Sequence, residues 1–226
     1  SCTCATSPTM PGPLRRLPVD NRHHMRQFLL YVFVLLIPCF ALWTVASVPL
    51  ALPAIGFVNT VLTHWFPDVV HLLYVDGDKA LLMTEFGERG GQLIPLAEAE
   101  YRLGFELNPR ILSYSLPFYT ALHFATQKTE YLNSYVYGLL ILYPLMAIGL
   151  LCLCLKELMV GLGTDFLVQP GVFVPNPNVI GLTYQLSVLI VPTLGPAFIW
   201  LVQSRNSPLL KDSLAAINRR LSGAGS

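Results

Sequence analysis

Beyond its N-terminal tail the chain offers His64, His71 and His123 as bases and Cys39, Cys152 and Cys154 as thiols. A thiol or hydroxyl nucleophile needs a base within hydrogen-bond reach, and a metal needs ligands that converge on one point. His64 and His71 are seven residues apart, but Pro67 and a helix–strand junction fall between them. They share no helical face and read as surface or interfacial side chains. Cys39 sits mid-way along an apolar run, where a thiolate is not stabilised. Cys152 and Cys154 point to different sides of a helix and cannot meet. All three read as small apolar packing residues. No GxSxG elbow, HExxH, Walker loop or GxGxxG following a strand occurs. The sequence therefore assigns no catalytic residue, no cofactor-binding residue and no metal ligand.

Polar residues inside apolar stretches are the more informative signal. His123 lies in NPRILSYSLPFYTALHFAT, together with Asn108 and Arg110. An ionisable residue within a membrane span is a functional candidate, although a position near the span's end predicts a side chain wetted at the interface. A second stretch, GLTYQLSVLIVPTLGPAFIWL, places Tyr184 and Gln185 ahead of Pro192 and Pro196. The prolines loosen the helix, and Gln185 needs a partner in hydrocarbon. That partner is either a neighbouring helix of the same chain or another membrane protein docked on it. The candidate intramembrane polar or partner-contact residues are thus Asn108, Arg110, His123, Tyr184, Gln185, Pro192 and Pro196.

The elements that position these residues follow from composition. Apolar residues make up 54% of the 226 and charged ones 12%, about half the soluble norm. The net charge of +1 leaves no basic face for nucleic acid. No Lys, Arg, Asp or Glu occurs from Gln27 to Pro67. A span takes roughly 20 apolar helical residues, so 27–48 reads as an uncleaved signal anchor, with Pro38 as a tolerated kink. Residues 1–26 are expected to form a disordered basic tail before it, with Met10 or Met25 as candidates for the natural start. Pro49 and Pro53 are expected to end the span. A short interfacial helix is expected over 54–65, and a second crossing there is the competing reading. Trp43, Trp65 and Trp200 read as interface anchors.

The segment 49–110 changes character after residue 69. Asp76-Gly77 between two β-favouring runs signals a hairpin. A second turn is expected across 87–91, and Tyr101, Leu103, Phe105 and Leu107 alternate with polar residues as in a half-buried strand. A small antiparallel β-meander over about 69–107 is expected. It is too small to stand alone and must pack on the interfacial helix or a partner.

Further apolar segments cover 111–127, 133–155 and 181–203, with a loop at 156–180 and a basic tail at 204–226. Arg15, Arg16, Arg22 and Arg26 precede the first segment; Arg205, Lys211, Arg219 and Arg220 follow the last. The positive-inside rule puts both ends in the cytoplasm and so requires an even number of crossings. Four spans satisfy it and three do not. The segment 49–110, with eight acids against four bases, then lies outside. The fold class expected is a mainly α membrane protein with four transmembrane helices, a small β-meander and an interfacial helix in the first extracytoplasmic loop. It is expected in a bacterial inner membrane.

The order of pieces resembles the exosortase H-associated membrane proteins of Gram-negative bacteria. It is carried by the signal anchor, FPDVVHLLYVDGDKALLMTEF, the NPRILSYSLPFYTALHFAT segment and the GLTYQLSVLIVPTLGPAFIWL helix, across roughly Met25 to Leu210. The resemblance implies an accessory, without enzymatic activity or cofactor, that partners an exosortase in lipid. Exosortases cut carboxy-terminal sorting tails from exported proteins. They carry a cysteine followed closely by Ser and Gly, with a separate Arg and His. Here Cys39, Cys152 and Cys154 precede Phe40, Leu153 and Leu155, so the resemblance carries over no catalytic residue. The alternative is a small transporter or channel subunit using the Gln185-containing broken helix. A hydrolase built on Cys39 or His123 is weaker.

Overall fold

The computed structural model describes residues 21–99, 101–126 and 131–205. The tail before Asn21, the loop at Lys128 and the basic tail from Asn206 lie outside the described residues.

The first helix, α1, runs unbroken from Asn21 to Trp65, with Pro38, Pro49 and Pro53 inside it. This corrects the expected stop at Pro49 and the separate short helix over 54–65. A proline removes one helical hydrogen bond and crowds the preceding turn. All three prolines, however, lie on the exposed side of α1. On the opposite side Ala51, Ala54, Ile55, Val58 and Leu62 are buried in the main core, and that packing keeps the helix going. At about 1.5 Å per residue, 45 residues reach about 65 Å, over twice a hydrocarbon core.

The upper part of α1 carries the sheet. Strand β1 (Val70–Asp76) pairs antiparallel with β2 (Lys79–Arg89), which pairs with β3 (Gln92–Pro95) and β4 (Arg102–Leu107). The sheet is antiparallel as expected, but its order is not a simple meander. The last strand returns to β2, making β2 central. The first hairpin closes on Asp76↔Lys79, so its turn residues are Gly77 and Asp78, one position beyond the expected pair. Gly77 has φ 60° and no non-glycine residue has positive φ among the described ones, which is the type II′ pattern with glycine first. Gly90 and Gly91 are both left-handed and close β2 onto β3.

The inner face of the sheet (Val70, Leu73, Ala80, Leu82, Leu107) packs on α1 and on the upper end of α4 (Tyr131–Leu162). Asn59 of α1 accepts a hydrogen bond from the Leu73 backbone N–H at 2.8 Å, which satisfies one donor of the β1 edge. Asn59→Leu is expected to orphan that N–H and cost about 1–3 kcal/mol. Faster amide exchange at Leu73, with the other strand amides unchanged, would register the loss.

Residues 111–127 do not form the single helix expected. Arg110–Ser113 (α2) and Ser115–Ala125 (α3) are separated by Tyr114, because Pro117 denies the first turn of α3 a backbone donor. Together they reach about 24 Å at 1.5 Å per residue. Among the described residues, three helical stretches are long and apolar enough to cross a membrane: Arg26–Trp65, Tyr131–Leu162 and Pro177–Ser204. The third is composite. It joins α6 (Pro177–Gln185), a π-turn (Leu186–Ile190) and α7 (Val191–Ser204). A short α5 (Thr164–Leu167) precedes it.

Side-chain contacts show how these pieces line up. Trp43 on α1 donates to Ser113 Oγ at 3.1 Å, whereas Val32, a few turns lower, packs with Leu122 and Ala125. The α2–α3 segment thus descends beside the lower half of α1. Trp200 stacks on Phe28 at 5.3 Å, so α7 ends where α1 begins, and Tyr119 reaches Ser134 near the start of α4. The four helical segments alternate in direction, with the sheet at the end away from the chain's described termini. Glycines permit the closest approaches. A Cβ on Gly138 would stand 1.9 Å from Tyr119 Oη, and one on Gly149 would stand 2.8 Å from Leu112 Cδ2. These glycines lie three turns apart on α4 and receive α3 and α2 in succession. Gly161, higher still, receives the Phe105 ring of β4.

Candidate docking helix and buried polar cluster

Gln185 ends α6, and its place on the bundle follows from the packing of its neighbours. Tyr184 turns inward, against the core and beneath Lys156, whose Nζ lies 5.5 Å from the ring centroid. Gln185 points outward. Its side chain is exposed and has no hydrogen-bond partner among the described residues. The expectation of a bond to a neighbouring helix of this chain is therefore corrected. Tyr184 and Gln185, about 100° apart around the helix, thus differ in environment: the first packs on the core and the second is exposed.

The π-turn explains how the helix survives Pro192. A proline ring collides with the carbonyl four residues back. Here the Val191 N–H bonds to Leu186 O, five residues back, which widens the turn just ahead of the proline. Pro192 and Pro196 are themselves buried against the bundle. The outer side keeps Leu182, Leu186, Leu189, Leu194 and Phe198 exposed beside Gln185. π-bulges recur at functional positions because they re-aim side chains without ending the helix.

His123 contradicts the expectation of a wetted interfacial residue, since it is fully buried. Its Nε2 lies 2.9 Å from the Tyr131 carbonyl, and its Nδ1 lies 3.4 Å from Tyr119 Oη. The carbonyl only accepts, so Nε2 carries the proton. Rings of Phe124, Tyr131 and Tyr135 surround it, because the first residues of α4 lie over it. Tyr119 donates at 2.9 Å to Gln203 Oε1, and Gln203 Nε2 donates at 2.9 Å to the Ser134 carbonyl. Trp200 Nε1 donates to Thr126 Oγ1 at 2.6 Å. This cluster ties α3, α4 and α7 together at one end of the bundle. Gln203→Leu is expected to cost about 1–3 kcal/mol, because Tyr119 loses its nearest acceptor inside an apolar bundle. A lower melting temperature in detergent would show it, and Gln203→Glu should retain most of the acceptor function.

Sequence reasoning picked out His123 but missed Gln203 and Ser134. A signal was present: a glutamine and a serine each lie at the extreme end of an apolar run on the same side. The tryptophans, expected as interface anchors, also make internal bonds. Beside the bonds of Trp43 and Trp200, Trp65 Nε1 donates to the Phe173 carbonyl at 3.1 Å. All three indoles are thus committed to partners within the chain.

Asn108 and Arg110 sit where β4 enters α2. Asn108 Oδ1 accepts from the Arg110 N–H at 3.0 Å, turning the chain into the helix. Arg110 reaches back to Asp78 at 3.6 Å in the first hairpin turn, so this arginine links the sheet's near end to the bundle. Around it the outer charges are largely paired. Glu85 bridges His71 at 2.6 Å and Arg102 at 3.5 Å, and Lys79 pairs with Glu106. The hydrogen bond and charge of Glu106 hold the Lys79 ammonium above its ordinary pKa.

Cys39 borders a cleft of about 200 Å³ with Trp43, Pro117, Thr120, Tyr135 and Tyr143, and His123 is not among its lining residues. Thr120 and Tyr135 satisfy one another there at 3.0 Å. Cys152 and Cys154 are buried in the bundle. These placements bring no thiol and histidine together in a shared cavity.

No curated protein and no solved structure matches the chain. A family model described as exosortase H-associated membrane protein matches residues 22–207, which takes in α1, the sheet, all four helical segments and the Gln185 face. With the long apolar helices, the small antiparallel sheet and a match over most of its length, the chain belongs to the exosortase H-associated membrane protein family.

Proposed function

We propose that this chain is a non-enzymatic accessory of the bacterial inner membrane that partners an exosortase-type sorting transpeptidase. It crosses the bilayer four times, at 27–48, 111–127, 133–155 and 181–203. Both tails are cytoplasmic, and the sheet stands outside. The alignment of α2–α3 with the lower half of α1 supports the short second crossing. A span of about 24 Å is near the thin end of what a bilayer accommodates, and its polar groups are covered by the longer helices. The charge distribution supports the sidedness: four basic residues flank each end, and acids predominate in 49–110.

The observation that carries the proposal is the outward aim of Gln185 beside the π-turn. An amide left unpaired among the described residues, near the outer end of an apolar helix, is a ready partner for a polar group on another membrane helix. Together with the family's association with exosortase H, it favours a docked enzyme at this face. The sheet contributes the extracytoplasmic contact. Co-expression of the full chain with its cognate exosortase, followed by purification in mild detergent, tests this. A stable complex weakened by Gln185→Leu is expected. Recovery of the chain alone, with the enzyme entirely in the flow-through, would refute the association.

A further inference from the structure

The described chain ends its outermost part in a crown built from the end of α1, α5 and the loop 168–176. Phe66 and Phe166 meet there at 5.2 Å. The loop is fastened at several points: Val172 and Val174 pack on the core, Trp65 donates to the Phe173 carbonyl, and Gln169 donates to the Asp165 carbonyl. Between the two anchored valines, the Phe173 side chain is left 76% exposed, with Val168 at 78%. An anchored loop that holds a large aromatic in water has already met the ordering cost a partner would otherwise incur. In the proposed four-span arrangement Trp65 lies seventeen residues of continuous helix beyond Val48, the outer limit of the first crossing.

Charge indicates the kind of partner. Asp68 lies two residues beyond Phe66 and Asp165 adjoins Phe166. Both are exposed, and neither has a cationic partner among the described residues. Elsewhere on the outer unit, Glu85, Glu106 and Asp78 are paired, while Asp76, Glu88 and Glu98 on the sheet side are likewise exposed without a cationic partner among the described residues. The crown thus joins a preorganised aromatic to unneutralised carboxylates. We infer that it is a second contact surface for the sorting enzyme, receiving a segment of that enzyme in which a Lys or Arg stands beside an apolar side chain. Phe173 fills the role of central anchor, and the carboxylates steer approach. This inference rests on the proposed association with an exosortase.

The test uses the full chain co-expressed with its cognate exosortase and compares wild type, Phe173→Ser, Val168→Ser and the Asp68→Asn/Asp165→Asn pair. Each substitution is at an exposed position and should leave the melting temperature unchanged. Phe173→Ser is expected to weaken the complex about tenfold or more. The double Asn variant is expected to flatten its dependence on salt. A photo-cross-linking residue at 173 should label the enzyme. A wild-type complex matched in strength and salt dependence by every variant would overturn the inference and leave the association intact. Absence of any wild-type complex would overturn both.

Discussion

Gly138→Leu is expected to abolish recovery of a monodisperse folded protein from detergent. Even the Cβ of alanine would stand 1.9 Å from Tyr119 Oη, a separation that no rotamer of leucine relieves. Tyr119 cannot retreat, because it is fully buried and tied to Gln203 and Ser134. The bundle must then separate α3 from α4 and break the cluster around His123. Overpacking typically costs about 1–3 kcal/mol, and loss of the hydrogen bonds adds about 1–3 kcal/mol for a buried group left unpaired. Gly56→Ala supplies a control of opposite sign. Nothing lies within 4 Å of a Cβ there, so the gain in helix propensity should stabilise α1 by up to about 1 kcal/mol. Thermal melts of both variants in one detergent make the comparison.

Phe66→Ala is expected to release the sheet while leaving the bundle in place. Phe66 is 1% exposed. It stacks on Trp65 at 5.0 Å and meets Phe166 at 5.2 Å. Truncating such a residue costs about 3–5 kcal/mol, a large share of what a small outer unit has. Limited proteolysis should then cut within 69–107 far faster than in wild type, with helical circular dichroism nearly unchanged. Equal cleavage rates would mean that the crown does not hold the sheet on α1.

The hairpins, the alternating strand at Tyr101–Leu107 and the long apolar helices were legible because each is written in local pattern. The unbroken α1 was not. Pro49 and Pro53 are locally disruptive, and only the core built later in the chain, from Leu82 to Phe166, explains why the helix continues. The pairing of β4 with β2 escaped for a similar reason: alternation reveals a strand but not its neighbour. At the candidate site, the composition of Gln185's helix exposed its unusual polarity. Its direction depended on the inward packing of Tyr184 and the added π-turn residue, which shifts everything before it around the helix. His123 was visible as an intramembrane histidine. Its burial depended on Tyr131 and Tyr135 folding back over it.

The proposed arrangement depends most on which side of the membrane each part occupies. Single cysteines at positions 20, 128, 171 and 224, in a chain whose native cysteines are replaced by serine or alanine, can be probed in intact cells with a membrane-impermeant maleimide. Labelling at 171 alone is the predicted result, with 20, 128 and 224 reacting only after the membrane is opened. Labelling of 20 or 224 in intact cells would place a tail beside the sheet and contradict the arrangement.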